Sequence, residues 1–122
     1  MAILVAEVGS RDVGAIELHI DGEYLVVRAH WPFDTSTDEW IDLSARVPIS
    51  SLHRTTKDGL ELFTAHADVD TVEFLHYPDD TILVTINGRN TTGPVRAQIQ
   101  LPAPEGRQVR SHLGHLQEDD AH

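Results

Sequence analysis

Cysteine is absent from the 122 residues, which excludes a disulfide framework, a thiol nucleophile and every cysteine-ligated zinc or iron–sulfur site. No apolar stretch approaches the ~20 residues that a membrane-spanning helix needs. The opening MAILVAEVGSRD lacks a basic start and reaches Glu7 too early for a secretory signal, so a cytoplasmic location is expected. Basic residues are few. Nine Lys and Arg stand against 20 Asp and Glu, a formal charge of −11 with His neutral. A surface of that sign repels phosphate backbones at long range, and weak or absent DNA binding is expected. The acidity fits plain solubility, mimicry of DNA, or an acidic face that docks on a basic partner. Phosphate-binding glycine motifs of the G-x-x-x-x-G-K-[ST] and G-x-G-x-x-G types are also missing. None of Ser10, Ser36, Ser44, Ser50, Ser51 or Ser111 sits in a G-x-S-x-G elbow or beside a base. Catalysis is therefore the weaker class, although a site built from distant residues leaves no local trace.

Hydrophobic residues make up 40% and charged residues 24% of the chain, the composition of one globular domain. The dominant pattern is alternation with a period of two, the mark of half-buried strands. It predicts strands over 2–8, 14–20 (GAIELHI), 24–31 (YLVVRAHW), 40–47 (WIDLSARV), 70–77 (DTVEFLHY), 81–87 (TILVTIN) and 94–101 (PVRAQIQL). Asp21 and Gly22 form a hairpin dipeptide, and Pro78, Asp79 and Asp80 mark another turn. Pro48 and the Ser50–Ser51 pair suit a helix start. Ile49, Leu52, Leu60 and Phe63 recur at roughly helical intervals, which predicts a helix within 49–66. After Pro102 the pattern dissolves. The expectation is a domain over 1–102 followed by a flexible tail over 103–122, with a fraying helical turn near 107–116. The fold class is α+β, an antiparallel sheet of about six strands with one helix packed on a face. Ile16, Leu18, Leu25, Val27, Leu52, Phe74, Val84 and Ile99 are expected in its core.

Eight histidines raise the question of a metal site. His112 and His115 can share a helical face beside Asp119, Asp120 and His122, but in a flexible tail they imply only incidental binding. His19, His30 and His76 fall on strands. The run Asp34 to Asp38 resembles the opening of a calcium loop, yet Glu39 stands where that loop needs glycine and Ala45 where it needs an acid. Asn90-Thr91-Thr92 matches a glycosylation sequon, which without a secretory signal reads as a polar turn. No catalytic, metal-ligating or cofactor-binding residue is assigned, and no cofactor is expected. One local feature stands out against the acidity. Arg46, Arg54 and Lys57 lie in or beside the expected helix, as its ordinary solvated face or as a basic strip that approaches phosphates.

The runs GAIELHIDGEYLVVRAHW, WIDLSARVPISSLHR, DTVEFLHYPDDTILVTINGR and VRAQIQLP, in that order over roughly 14–102, resemble one domain of a bacterial DNA polymerase sliding clamp. The resemblance implies that the helix carrying Arg54 and Lys57 is of the type that faces DNA, and that copies must assemble before anything is encircled. The expected function is a non-enzymatic protein-binding or accessory module, similar to one clamp domain, acting through protein contacts or self-association. The alternative is a small acidic inhibitor or immunity-type protein that blocks a toxin, nuclease or host factor.

Overall fold

The computed structural model describes residues 2–10, 14–32, 40–90 and 93–120, with side chains described over 16–30, 43–90 and 93–116. The described residues form nine strands and one long helix: β1 (Ala2–Ser10), β2 (Gly14–Asp21), β3 (Tyr24–Pro32), β4 (Trp40–Pro48), β5 (His53–Lys57), β6 (Leu60–His66), β7 (Thr71–His76), β8 (Ile82–Asn90), β9 (Gly93–Leu101) and α1 (Ala103–Asp120). Every strand pair is antiparallel. The α+β class holds, with more strands than the six expected.

The strands form two meanders, β1-β2-β3-β4 and β9-β8-β7-β6-β5, which meet where β4 joins β8 through the pair Ser44 and Arg89. The alternation read from the sequence decides which side chains face inward. Ile16, Leu18, Leu25, Val27, Leu43, Ala45 and Val47 from the first meander meet Phe63, Phe74, Val84, Ile86 and Ile99 from the second in one cluster. All eight residues expected in the core are at most 3% exposed. The β2–β3 loop sits one residue later than the Asp21–Gly22 reading. Asp21 pairs with Tyr24, leaving Gly22 and Glu23 as the loop, and Gly22 takes φ +60°. Positive φ at the first loop position alone is the glycine requirement of a type II′ turn.

The helix expected within 49–66 does not form. Ile49–Ser51 make a single 3₁₀ turn, in which Ser51 Oγ donates to the carbonyl of Pro48 at 2.7 Å. The chain then enters the β5–β6 hairpin. Asp58 (φ 53°) and Gly59 (φ 80°) both hold positive φ, the type I′ geometry that matches strand twist. A helix would bury Leu60 and Phe63 on one stripe; the hairpin instead places Phe63 inside and Leu60 on the other face. The helix lies where the tail is expected. Pro104 suits the first turn of α1, and Val109 and Leu113, four residues apart, are fully buried against the sheet. This packing ties down residues that composition alone reads as mobile. The stretch resembling a calcium loop, 34–38, and the sequon's Thr91 and Thr92 lie outside the described residues.

Candidate functional site

The inward row Thr56, Glu61, His76, Ile82 and Leu101 runs across β5, β6, β7, β8 and β9 at one end of the second meander. Ile82 and Leu101 continue the core, but Glu61 and His76 put a carboxylate and an imidazole at its margin. These two are only 17% and 18% exposed, so each needs polar partners there. The helix supplies them. Arg110 grips Glu61 with a two-pronged contact, Nε to Oε1 at 3.0 Å and Nη2 to Oε2 at 3.2 Å. Arg54 Nε reaches Glu61 Oε2 at 3.0 Å from β5, and His76 Nδ1 lies 3.5 Å from Oε1. His76 continues the network, with Nε2 3.0 Å from Asp80 Oδ1. Asp80 Oδ2 in turn meets Arg107 Nη1 at a long 3.4 Å. The chain of charges thus runs from the β5–β6 hairpin through β7 and its turn to α1.

Turn chemistry fixes Asp80. The Asp80 N–H donates to the Tyr77 carbonyl, and Asp80 itself adopts φ 71°. Asp79 Oδ1 accepts from the Thr81 hydroxyl at 2.6 Å and the Thr81 N–H at 3.1 Å, which lowers the Asp79 carboxyl below its usual range. The Asp79–Asp80 pair therefore divides its work: Asp79 closes the turn, and Asp80 faces the helix.

Burial raises the Glu61 pKa, but the hydrogen bonds and charge of Arg110, with the charges of Arg54 and His76, outweigh it and leave the carboxyl below its ordinary value. A carboxyl lowered by folding adds stability above its unfolded pKa of about 4.3, and that stability disappears as pH falls through the lower folded value. Glu61→Gln should therefore cost about 1–3 kcal/mol at neutral pH, because Arg110 and His76 lose a charged acceptor in a poorly solvated position. The cost should shrink in acid. Urea unfolding at pH 7 and pH 3 tests this, and an equal penalty at both values would contradict the role given to Glu61.

The three residues of the expected basic strip are not brought together. Arg46 lies on the outward face of β4, its Nη1 2.6 Å from Asp21 Oδ2 and its guanidinium 4.2 Å over the Tyr24 ring. Arg46 also keeps the Asp21 carboxyl below its usual pKa. Arg54 faces inward toward Glu61, and Lys57 points to the opposite side of β5. The helix that would join them, and that the clamp resemblance would turn toward DNA, is the 3₁₀ turn and hairpin described above. His112 and His115 stand on α1. Among the described residues no group of three His, Cys, Asp or Glu is arranged to hold a metal ion. The Glu61–Arg110 and Asp80–Arg107 contacts escape a reading of the sequence because they join residues 49 and 27 apart.

No family model, curated protein or solved structure matches the chain. No helix among the described residues is long and apolar enough to cross a membrane.

Proposed function

We propose that the chain is a non-enzymatic binding module that acts through protein contacts, taking an extended segment of a partner protein along the open edge of β5. The observation that supports this is the exposure of all five residues, His53 to Lys57, on both faces of a strand that pairs only with β6 among the described residues. In a two-residue hairpin the closing pair, Lys57 and Leu60, exchanges both hydrogen bonds, and the pattern alternates from there. The N–H and C=O groups of Arg54 and Thr56 consequently point away from β6. An added strand satisfies such groups by main-chain pairing.

Self-association, the form that the clamp resemblance favours, is less well served by this edge. Two antiparallel copies of β5 centred on Thr55 would set Lys57 against His53 and bring two chains of charge −11 together. A partner strand without that charge meets no such repulsion. The acidic-inhibitor reading rests on a separate observation: Arg46, Arg54, Arg89, Arg107 and Arg110 are all engaged by carboxylates of the chain itself, so these five are not spare cations to offset the formal charge of −11. That mode is salt-sensitive and independent of the β5 edge.

Thr56→Pro separates the two. Proline at Thr56 removes an outward N–H and leaves the β5–β6 ladder intact, because an edge strand tolerates proline where its N–H faces solvent. The variant should keep its circular dichroism and unfold within about 1 kcal/mol of the parent. Partner proteins retained by the parent from a cell extract should be lost to it. Retention unchanged by Thr56→Pro but abolished by moderate salt would overturn the edge-strand reading in favour of the acidic inhibitor.

A further inference from the structure

Residues 81–104 contain no Asp or Glu, in a chain that carries 20. That stretch is β8 and β9, and among the described residues β9 pairs with β8 alone. We propose that two copies of the chain associate through β9, antiparallel about a two-fold axis at Gln98, to form one continuous sheet. This edge lies on the opposite side of the second meander from β5 and is independent of the function proposed there.

The hydrogen bonds of the β8–β9 hairpin decide which groups are open. Asn90 and Gly93 close a two-residue connection, and such a closing pair exchanges both hydrogen bonds. Alternation then turns the main-chain groups of Val95, Ala97, Ile99 and Leu101 toward β8, and those of Arg96, Gln98 and Gln100 away from it. Pro94 fits this phase, since an edge strand tolerates proline where the missing N–H would face outward. Pro94 and Pro102 bound the open segment, because neither can donate. An axis at Gln98 sets Gln98 against Gln98, Arg96 against Gln100 and proline against proline. Every outward N–H and C=O of Arg96, Gln98 and Gln100 then finds a partner, about six hydrogen bonds in all. An axis at Ala97 would set Gln100 against Pro94, and one at Ile99 would set Arg96 against Pro102. Either leaves a carbonyl without a donor in both copies.

Charge permits this pairing where it opposes the pairing of β5. Arg96 is the one charged residue of β9, and an uncharged glutamine stands opposite it. The two Arg96 positions are four residues apart, roughly 14 Å along the strand. In the row of Gln98 the next acid is Glu73, two strands away beyond Thr85. The Glu73 residues of the two copies are therefore roughly 24 Å apart, beyond the Debye length of about 8 Å in physiological salt. Asp80 and Glu105 flank the Leu101 end, which the axis sets against the acid-free Pro94 end of the other copy. On the inward side Val95 and Ala97 are only partly buried, and they gain Leu101 and Ile99 of the other copy as cross-strand neighbours. Contact through one strand pair falls below the ~1,200 Å² of a standard interface, so the dimer is weak and concentration-dependent.

Sedimentation equilibrium of the full chain should show monomer and dimer, with a dissociation constant on the order of 10–100 μM. Raising the concentration should slow amide exchange at Arg96, Gln98 and Gln100, and leave Arg54 and Thr56 unchanged. Gln98→Pro removes a donor at the axis from each copy and should weaken dimerisation at least about tenfold. Gln100→Lys places an ammonium opposite Arg96 of the other copy and should weaken it similarly, and adding Arg96→Glu should restore it. Both charge changes fall on exposed side chains, so this rescue tests the register whether or not Gln98→Pro folds. Thr56→Pro should dimerise like the parent. A monomer at about 1 mM, a dimer indifferent to Gln98→Pro, a failed rescue, or loss of the dimer in Thr56→Pro would each overturn the proposal.

Discussion

Replacing Gly106 with alanine is expected to destabilise the protein by about 2–4 kcal/mol, although alanine is the better helix former by about 1 kcal/mol. Gly106 lies in the second turn of α1, where its N–H donates to the Pro102 carbonyl at 2.8 Å. A Cβ at this position would overlap the main-chain oxygen of Asp80 and come within 3.2 Å of its carbonyl carbon. Both atoms belong to the β7–β8 turn, whose own hydrogen bonds hold it in place. The helix must therefore move. Overpacking alone costs about 1–3 kcal/mol. Full undocking would expose Val109 and Leu113, a ceiling on the order of 3–6 kcal/mol from about 1.5–3 for each side chain. It would also pull Arg110 from Glu61. Urea unfolding gives the magnitude, and limited proteolysis should show new cleavage within residues 103–120. A variant as stable as the parent would mean that α1 is not seated on the turn.

That helix shows how far the sequence can be read. Alternation revealed β2, β3, β7, β8 and β9, because each has one face in the core and one in solvent. The β5–β6 hairpin was illegible by the same logic. Its first strand is exposed on both faces, so HRTTK carries no alternation, and the apolar residues on either side coincide with helical intervals. The decisive signal was Asp58-Gly59, a turn dipeptide of the same kind as the one read near Gly22. In the C-terminal segment Val109, Leu113 and Leu116 do repeat at helical spacing, but two prolines, two glycines and many polar residues obscure them. Gly106 looks like a helix breaker until the Asp80 carbonyl is placed against it. The candidate site was hidden more deeply: Glu61 and Arg110 meet only because β6 and α1 are brought together by the fold.

At the other end of β8, Gly88→Ala is expected to open the seam between the two meanders at a cost on the order of 2–5 kcal/mol. Gly88 needs no unusual φ; the need is for space. A Cβ there would overlap the Ser44 carbonyl oxygen and lie 2.8 Å from its carbon and 3.1 Å from the Ala45 nitrogen. All three are main-chain atoms of β4, which cannot rotate aside as a side chain would. The seam is thin, a single pair between Ser44 and Arg89, because β7 takes the same edge of β8 over residues 82–87. The next β4 donor, the Arg46 N–H, turns to the side chain of Asp70, whose Oδ2 accepts it at 3.0 Å. Asp70 Oδ1 lies 3.4 Å from Arg89 Nε, and the residue is 9% exposed. Displacing β4 thus adds a broken hydrogen bond at a buried carboxylate, about 1–3 kcal/mol, to an overpacking cost of similar size. Asp70→Ala should remove part of the same seam, so the double variant should lose less than the sum of the two single ones. Gly88→Ala with Gly106→Ala should instead be additive within about 0.5 kcal/mol, since Gly88 and Ile82, the β8 residue beside Gly106, stand roughly 20 Å apart along the strand. Additivity in the first pair, or strong coupling in the second, would show that β4 and α1 do not hold β8 at separate ends.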